Sequence, residues 1–348
     1  MREVSTISKG KESANMKKIM NKPEDFVKDT LSGLYAAYSD QLMPCDGETT
    51  IVLSKHVNEN RKVGIVTAGG SGHLPLFLGY VGSGMLNGCT VGNVFASPSA
   101  QKMEAMIRAC DSGAGVLCLF GNYGGDRMNF ELARETVEFD DIQTTQVLGR
   151  DDVASSPKAQ ADKRRGVAGI IYAYKIAGAA ADSGLDLEAV TSIAQRAVDS
   201  VRTLGFATGA CILPEVGTSG FHIAQDEIEV GMGIHGEPGI EVRKMMTARE
   251  IAVESVERID ADMPLVKGDV VSVMVNGLGA TPMEELLIVY GEVHKILTDK
   301  GITLCRPHVG EYATSMEMAG LSVSIIKLDE EMKALLEEPA RTPFYINQ

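Results

Sequence analysis

The stretch KVGIVTAGGSGHLP, residues 62–75, decides the fold because an apolar strand in it passes directly into a glycine loop. It begins with a short apolar run of the kind that forms a buried β-strand, and a glycine loop containing His73 follows at once. Ligands of α/β proteins bind beyond the carboxyl ends of strands, where glycines let backbone N–H groups approach a small oxygen-rich molecule. The stretch therefore predicts an α/β fold with a ligand site in this loop, although a tight turn with a surface histidine would have the same local sequence.

A second loop has the same arrangement as the first. The segment GVLCLF at 115–120 predicts a strand, and the loop GNYGGD at 121–126 follows it with a carboxylate at Asp126. Loops that leave the carboxyl ends of neighbouring strands can converge on one ligand. The two loops together therefore predict a shared site more strongly than either loop does alone.

Helix-like and strand-like periodicities alternate along the chain. Helices are predicted at 23–38, 99–110, 128–139, 164–184, 186–205, 247–259 and 282–301. Strands are predicted at 62–68, 115–120, 208–213, 228–234, 269–276, 303–306 and 321–328. The alternation predicts the α/β class, with two α/β domains that each contain a mostly parallel or mixed sheet flanked by helices.

The length of 348 residues is enough for two domains of ordinary size. A break near residue 184 predicts a polar N-terminal tail at 1–15, a first domain at 16–184 and a second domain at 185–348. The first domain would carry the GGSGH and NYGGD loops, and the second would carry the loop GIHGEPG. Six cysteines without a C-x-x-C pair predict reduced, buried thiols and a cytoplasmic protein.

The charge and the hydropathy of the chain exclude some classes of partner. An acidic protein with a net charge of −14 repels phosphate backbones, so nucleic acid is not an expected partner. No apolar run reaches the length of about 20 residues that a membrane helix needs, and the first residues lack the apolar centre of a secretory signal. We therefore expect no membrane association.

The loop GMGIHGEPG at 231–239 fits the pattern G-x-G-x-x-G of dinucleotide-binding proteins. A dinucleotide loop must open a helix, whereas Glu237, Pro238 and Gly239 predict a turn. The chain also lacks a G-x-x-x-x-G-K-[ST] sequence, so we expect no self-contained nucleotide site.

The histidine of this loop, His235, has two interpretations. It could be a structural residue of a glycine turn, or a neutral imidazole that adds to a carbonyl carbon. The second interpretation needs a partner that holds the other ring nitrogen and fixes the tautomer, and both Glu229 and Glu237 are near in sequence. The six histidines show no metal-binding spacing, so no metal site is expected.

Several motifs occur together and in order along the chain. They are GGSGHLPLFLGYVGSGML, NVFASPSAQK, GNYGGDRMNFE, RRGVAG, GMGIHGEPGIE and VNGLGATPMEEL. From about Met16 to the end, the chain resembles the substrate-binding subunit of dihydroxyacetone (glycerone) kinases. The resemblance implies a phosphotransferase subunit of two α/β domains that usually forms a homodimer.

The resemblance also implies a role for each site residue. His235 matches the histidine that binds the ketone of dihydroxyacetone covalently as a hemiaminal, His73 matches an acid–base residue, and Asp126 matches the base that receives the hydroxyl proton. The substrate would be lined by Gly70, Ser71, Gly72, His73, Gly121 and Asp126. A hemiaminal needs a carbonyl carbon, so this chemistry excludes glycerol.

The family implies no cofactor on this chain. A nucleotide-binding partner subunit would hold ATP, or ADP that a protein of the phosphotransferase system rephosphorylates, with Mg²⁺. Two departures from the family pattern are Gly121, where a lysine is frequent, and Leu74, where a glutamate is frequent. The alternatives are therefore a kinase subunit for a four-carbon ketose, and a non-enzymatic ketose-binding coactivator of a transcription regulator.

Overall fold

Two mixed β-sheets organise the chain in the computed structural model, which describes residues 18–57 and 61–348. The tail predicted at 1–15 lies outside the described residues. The first sheet consists of β1 (Leu42–Cys45), β2 (Glu48–Ser54), β3 (Gly64–Ser71), β4 (Gly88–Val94), β5 (Val116–Gly121) and β6 (Thr144–Gly149). The spatial order is β1-β2-β4-β3-β5-β6, in which β4, β3, β5 and β6 run parallel and β1 and β2 form an antiparallel edge.

Helices cover both faces of the first sheet. They are α1 (Phe26–Ala37), α2 (Ala100–Cys110), α3 (Gly124–Glu138), α4 (Ile170–Asp182) and α5 (Leu187–Asp199). Apolar residues of α2 and α3 share a buried cluster with side chains of β3 and β5, whereas α4 and α5 share a cluster with the other face. The helices thus bury the sheet on both sides, as a largely parallel sheet requires.

The second sheet is largely antiparallel. Its strands are β7 (Val201–Gly209), β8 (Glu227–Val230), β9 (Glu241–Lys244), β10 (Val270–Gly277), β11 (Thr303–Leu304), β12 (His308–Gly310) and β13 (Ala319–Lys327). The order is β11-β10-β13-β7-β8-β9, and β12 also pairs with β10. The helices that follow or flank these strands are α6 (Ala248–Asp262), α7 (Met283–Asp299) and α8 (Glu330–Glu337). A short pair, β14 (Ala340–Arg341) and β15 (Ile346–Asn347), completes the fold, and the predicted α/β class with mixed sheets is confirmed.

Helix α4 lies at the centre of the molecule. Twelve of its thirteen residues are buried, and its apolar side chains share one cluster with residues of both sheets. Its small residues allow close packing, since a Cβ at Gly178 would lie 2.4 Å from the carbonyl oxygen of Gly84. The predicted domain break near residue 184 falls between α4 and α5, and α5 packs against β5 and β6 of the first sheet. The division of the chain at that residue stays a prediction.

The sequence prediction was wrong where α5 meets β7. A helix at 186–205 and a strand at 208–213 were predicted, but α5 ends at Asp199 and β7 already begins at Val201. Gly205, which was expected to end the helix, lies inside β7 opposite Ser322 of β13. The continuous burial of β7 from Thr203 to Ala207 and its pairing on both sides outweigh the helical periodicity of this segment.

Other boundaries differ for local reasons. The predicted helix 164–184 begins only at Ile170, and α3 begins at Gly124 rather than at residue 128. The predicted strand 228–234 ends at Val230, because Gly231 has a φ of +83° that breaks the extended backbone. The strands β1, β2, β4, β6, β9, β12 and the helix α8 were not predicted.

A buried ion pair ties the segment before α4 to the second sheet. The guanidinium of Arg164 donates two hydrogen bonds to the carboxylate of Asp262, at 2.9 and 2.6 Å, and Arg202 donates to the same carboxylate. The side chain of Arg164 is fully buried. This bidentate contact fixes the loop that contains the next residue, Arg165, beside the end of β8.

Candidate active site

The two glycine loops meet because β3 and β5 are adjacent and parallel. His73 follows the end of β3, is buried, and lies with its Nδ1 2.8 Å from the carbonyl oxygen of Thr314. Only an N–H can serve that oxygen, so Nδ1 carries the proton and Nε2 carries the lone pair. Within the described part of the chain, Nε2 has no hydrogen-bond partner.

The environment of His73 keeps the ring neutral. Burial, and in second place the neighbouring His235, lowers the pKa of His73 to about 3. Its ring stacks on that of Phe95, with 4.8 Å between the centroids. His73 is therefore a buried acceptor that faces the site, rather than the surface histidine of a turn.

Asp126 lies in the first turn of α3, where the helix dipole favours a negative charge. Its carboxyl is almost fully buried, and among the described residues Oδ1 has no hydrogen-bond partner. Burial raises the pKa of Asp126 to about 6, although a hydrogen bond from Ser97 and the proximity of His235 act in the opposite direction. A carboxyl with this pKa can both accept and return a proton near neutral pH.

His235 lies in the loop after β8. Its Nδ1 is 2.9 Å from Oε1 of Glu237, and its backbone N–H donates to Oε2 of the same residue at 2.9 Å. Of the two glutamates that the sequence left open, Glu237 is therefore the partner. Glu229 instead accepts the N–H of Gly239. With the proton on Nδ1, the lone pair of Nε2 is directed away from Glu237 and is available as a nucleophile.

The loop around His235 is a turn, as predicted, and opens no helix. Gly231 and Gly236 both have positive φ values, +83° and +75°, and the N–H of Gly236 donates to the carbonyl oxygen of Gly233. The dinucleotide interpretation of the G-x-G-x-x-G pattern therefore finds no support in the local fold.

Glu237 is held in its ionised form. Its burial opposes ionisation, but the hydrogen bonds from His235 and the positive charge of Arg165 outweigh it and hold the pKa of Glu237 at about 2. The guanidinium of Arg165 lies 3.8 Å from Glu237. The ionised carboxylate of Glu237 therefore lies next to Nδ1 of the His235 imidazole.

Aromatic rings surround His235. The rings of His73 and His235 are nearly perpendicular, with 4.6 Å between their centroids. The rings of Tyr123 and Phe95 also contact His235 edge to face, at 4.8 and 5.3 Å. The fold thus brings His235 of the second sheet region onto the two loops of the first sheet.

The glycines of the predicted site have separate structural reasons. A Cβ at Gly70 would lie 2.7 Å from the backbone nitrogen of Ala96, so only glycine permits this close approach. Gly72 has a φ of +102°. The hydroxyl of Ser71 donates to the carbonyl oxygen of Gly92 and so supports the loop. Gly121 lies at the end of β5, where a Cβ would meet the ring of Tyr123 at 3.1 Å.

Leu74, the second departure from the family pattern, lies on another side of the loop. It lines an apolar cavity of about 320 Å³ between α1 and the glycine loop, and the lining of this cavity includes neither His235 nor Asp126. The same cavity is also lined by Gly70, Ser71, Gly72 and His73, so Leu74 shares it with the glycine loop.

Sequence reasoning missed four residues of the site: Ser97, Phe95, Tyr123 and Arg165. All four belong to quoted motifs, but no local pattern shows that their side chains turn towards the site. Their positions depend on contacts between segments far apart in sequence.

The chain belongs to the Dak1 domain family, whose model matches residues 32–344. It is 43% identical over 316 residues to the dihydroxyacetone-binding subunit DhaK of PTS-dependent dihydroxyacetone kinase 1 from Listeria innocua, which covers 91% of this chain and 95% of that protein. It is 42% identical over 330 residues to a D-erythrulose kinase of Mycolicibacterium smegmatis, which covers 95% of this chain but only 56% of that protein.

A solved structure has the same fold. It is a dihydroxyacetone kinase operon co-activator with a TM-score of 0.86 and 31% identity, and the match covers 92% of this chain and 98% of the other. The family resemblance drawn from the motifs is thus confirmed. Across residues 18–57 and 61–348, every helix is too short or too polar to cross a membrane.

The protonation state of His73 is directly testable. Because its pKa lies at about 3, its ring resonances in NMR should not titrate between about pH 8 and about pH 5, whereas an unperturbed imidazole titrates near 6.5. The unfolded chain does bind that proton, so the neutral ring should lower the free energy of unfolding as the pH falls below about 6.5. Peaks are assigned by their loss in His73→Asn, and a His73 midpoint close to 6.5 would contradict the structure.

Proposed function

We propose that this chain is the ketose-binding subunit of a dihydroxyacetone (glycerone) kinase, and that it holds a short ketose on His235 while a partner subunit supplies the phosphoryl group. The observation that carries the proposal is the contact between Nδ1 of His235 and Glu237, which leaves Nε2 as a nucleophile beside His73 and Asp126. The relative from Listeria innocua, a dihydroxyacetone-binding subunit, supports the same assignment.

Addition of the ketose proceeds in one step on His235. The lone pair of Nε2 forms a bond to the carbonyl carbon, and the π electron pair of the carbonyl moves to its oxygen. That oxygen takes up one proton from solvent and becomes a hydroxyl. The positive charge that results on the ring is balanced by the carboxylate of Glu237, 2.9 Å from Nδ1. His73 can accept a hydrogen bond from the new hydroxyl at Nε2, and it takes part in the acid–base chemistry at that oxygen.

Asp126 acts on the terminal hydroxyl of the bound ketose. As that hydroxyl oxygen attacks the phosphorus of the donor, its proton passes to the carboxylate of Asp126 and the bond between phosphorus and the leaving oxygen breaks. Asp126 must be ionised for this step, so turnover should fall as the pH drops through its pKa of about 6. A buried base at this place favours a kinase subunit over a coactivator, which has no proton to remove.

The proposal extends to partners and location. The chain binds no cofactor itself, and a nucleotide-binding subunit carries ATP, or ADP recharged by the phosphotransferase system, with Mg²⁺. The chain forms a homodimer and works in the cytoplasm. All six cysteines lie in the described part of the chain and are free thiols, five of them buried, which supports a reducing compartment.

Replacement of the base separates ketose binding from phosphoryl transfer. Asp126→Asn should retain ketose affinity but lose at least about a hundredfold in turnover, because an amide cannot accept the hydroxyl proton. The measurement is turnover of the reconstituted complex, with calorimetric ketose affinity alongside it. Glu131→Gln is the matched control, since it neutralises an exposed carboxylate on the same helix. Unchanged turnover in Asp126→Asn would show that Asp126 is not the base.

A four-carbon ketose is the second candidate substrate. Gly121 takes the place of a frequent lysine, and a relative with 42% identity is named a D-erythrulose kinase. Glycine at this position means that no long cation extends from the end of β5, and the ring of Tyr123 lies 3.1 Å from where a Cβ would be.

Competition between erythrulose and dihydroxyacetone tests this second candidate. Gly121→Lys should shift the ratio of affinities towards dihydroxyacetone, because the lysine adds a cationic donor for the far hydroxyl of the shorter ketose. Gly124→Lys is the matched control, since it adds the same charge to the same loop at a position with open space around it. An equal ratio in the wild type and Gly121→Lys would mean that position 121 does not set the chain length of the substrate.

A further inference from the structure

Arg165 connects three groups around the loop of His235. Its Nε donates to the carboxylate of Asp152 at 2.9 Å, and its Nη2 donates to the carbonyl oxygen of Gly231 at 3.0 Å. Its Nη1 lies 3.8 Å from the carboxylate of Glu237. The guanidinium therefore faces the same loop from two directions, through a backbone carbonyl before His235 and through a carboxylate after it.

The neighbouring arginine shows that this placement is specific to one position. Arg164 turns away from the loop and forms the buried pair with Asp262 that joins the segment before α4 to α6. Arg165 is only partly buried and turns towards His235. Arg164 therefore makes the link between this segment and α6, whereas Arg165 contacts Asp152, Gly231 and Glu237.

Gly233 independently indicates that Arg165 and Glu237 must lie close together. A Cβ at Gly233 would lie 2.1 Å from Oε2 of Glu237 and 2.6 Å from Nη1 of Arg165. Any side chain at this position would have to force the two charged groups apart. The glycine two residues before His235 is thus explained by the approach of Arg165 to Glu237, since its φ is not in the left-handed range.

We propose that Arg165 is a positioning residue for covalent ketose binding, and that through the space left by Gly233 its guanidinium holds Glu237 against Nδ1 of His235. The inference rests on the proposed function, because it concerns the imidazole that adds to the ketone. A carboxylate that is anchored on both sides cannot leave the ring, so Nε2 keeps its lone pair directed at the ketose. Without the anchor, Glu237 gains rotamer freedom and the ring loses its fixed tautomer.

Charge around this group comes from several elements. Asp152, which follows β6, faces Arg165 from one side, and burial raises the pKa of that carboxyl to about 6 against the effect of Arg165. Tyr123 lies close to both Arg165 and Glu237, and burial is the main cause of its raised pKa. These neighbours leave Arg165 as the cation that contacts Glu237 in the described part of the chain.

The test uses dihydroxyacetone labelled with carbon-13 at its carbonyl carbon, bound to the full chain. A hemiaminal moves the bound resonance from the ketone region to the saturated-carbon region, whereas ketose bound without a covalent bond stays in the ketone region. In Arg165→Met we expect the ratio of hemiaminal to bound ketone to fall about tenfold, the size usual when an outer partner of a functional imidazole is lost. Arg165→Lys should give an intermediate ratio, because it keeps the charge but not the planar fork.

Gly233→Ala is a second variant that leaves both charges in place. It should lower the same ratio, since its Cβ separates Arg165 from Glu237. The matched controls are Gly220→Ala, at a glycine with open space around it, and Arg150→Met, which removes a surface pair with Asp199. Both controls should keep the ratio of the wild type.

The outcomes separate the inference from the proposed function. A wild-type ratio in folded Arg165→Met and Gly233→Ala would overturn the positioning role and leave the hemiaminal intact. Equal loss of hemiaminal and bound ketone, together with a lowered melting temperature, would mean that Arg165 only supports the fold and would also overturn it. Absence of the saturated-carbon signal in the wild type would overturn the proposed function, and the inference with it.

Discussion

The hydrogen bond between Nδ1 of His235 and Glu237 is the interaction on which the whole site depends. It selects one of two tautomers of a neutral imidazole, and only that tautomer presents a lone pair at Nε2. Two further contacts hold Glu237 in place. Its carboxylate accepts a hydrogen bond from the backbone N–H of His235, and the guanidinium of Arg165 lies close to it. In the proposed mechanism, the second sheet and its loops supply the oriented nucleophile, and the first sheet supplies the acid–base groups that face it.

The proposed covalent bond to His235 explains how the site could distinguish a ketose from a polyol. Hydrogen bonds alone would distinguish a three-carbon ketose from glycerol weakly, since each well-made polar contact contributes only about 1 kcal/mol net. A covalent bond to a carbonyl carbon excludes polyols outright, because they have no electrophilic carbon. The proposed hemiaminal therefore gives the chain selectivity without a large binding pocket, and it leaves the terminal hydroxyl free for phosphoryl transfer.

The sequence predicted the convergence of the two glycine loops better than it predicted the boundaries of helices and strands. The strand at 62–68, the loop with His73 and the loop with Asp126 are each marked by an apolar run followed by glycines, and the structure places them at one edge of the first sheet. The start of β7 was missed because this buried strand follows directly on the amphipathic helix α5. Pairing with β13 and β8 decides where the helix ends and the strand begins. The choice between Glu229 and Glu237 also needed the structure, since both are near His235 in sequence.

The contacts of Arg165 could not be predicted for the same physical reason. Its motif is visible in the sequence, but its orientation follows from the neighbouring Arg164, which is fixed by a carboxylate about a hundred residues away along the chain. Gly233 likewise has no local signature that separates a glycine needed for a turn from a glycine needed for a close approach. Only the positions of Arg165 and Glu237 show that Gly233 is needed for a close approach.

The most direct test of this account is a crystal structure of the chain soaked with dihydroxyacetone. The account predicts continuous electron density from Nε2 of His235 to a tetrahedral carbon of the ketose, with Glu237 still hydrogen-bonded to Nδ1. A well-occupied ketose whose carbonyl carbon is planar and separated from His235 by a van der Waals gap would contradict it.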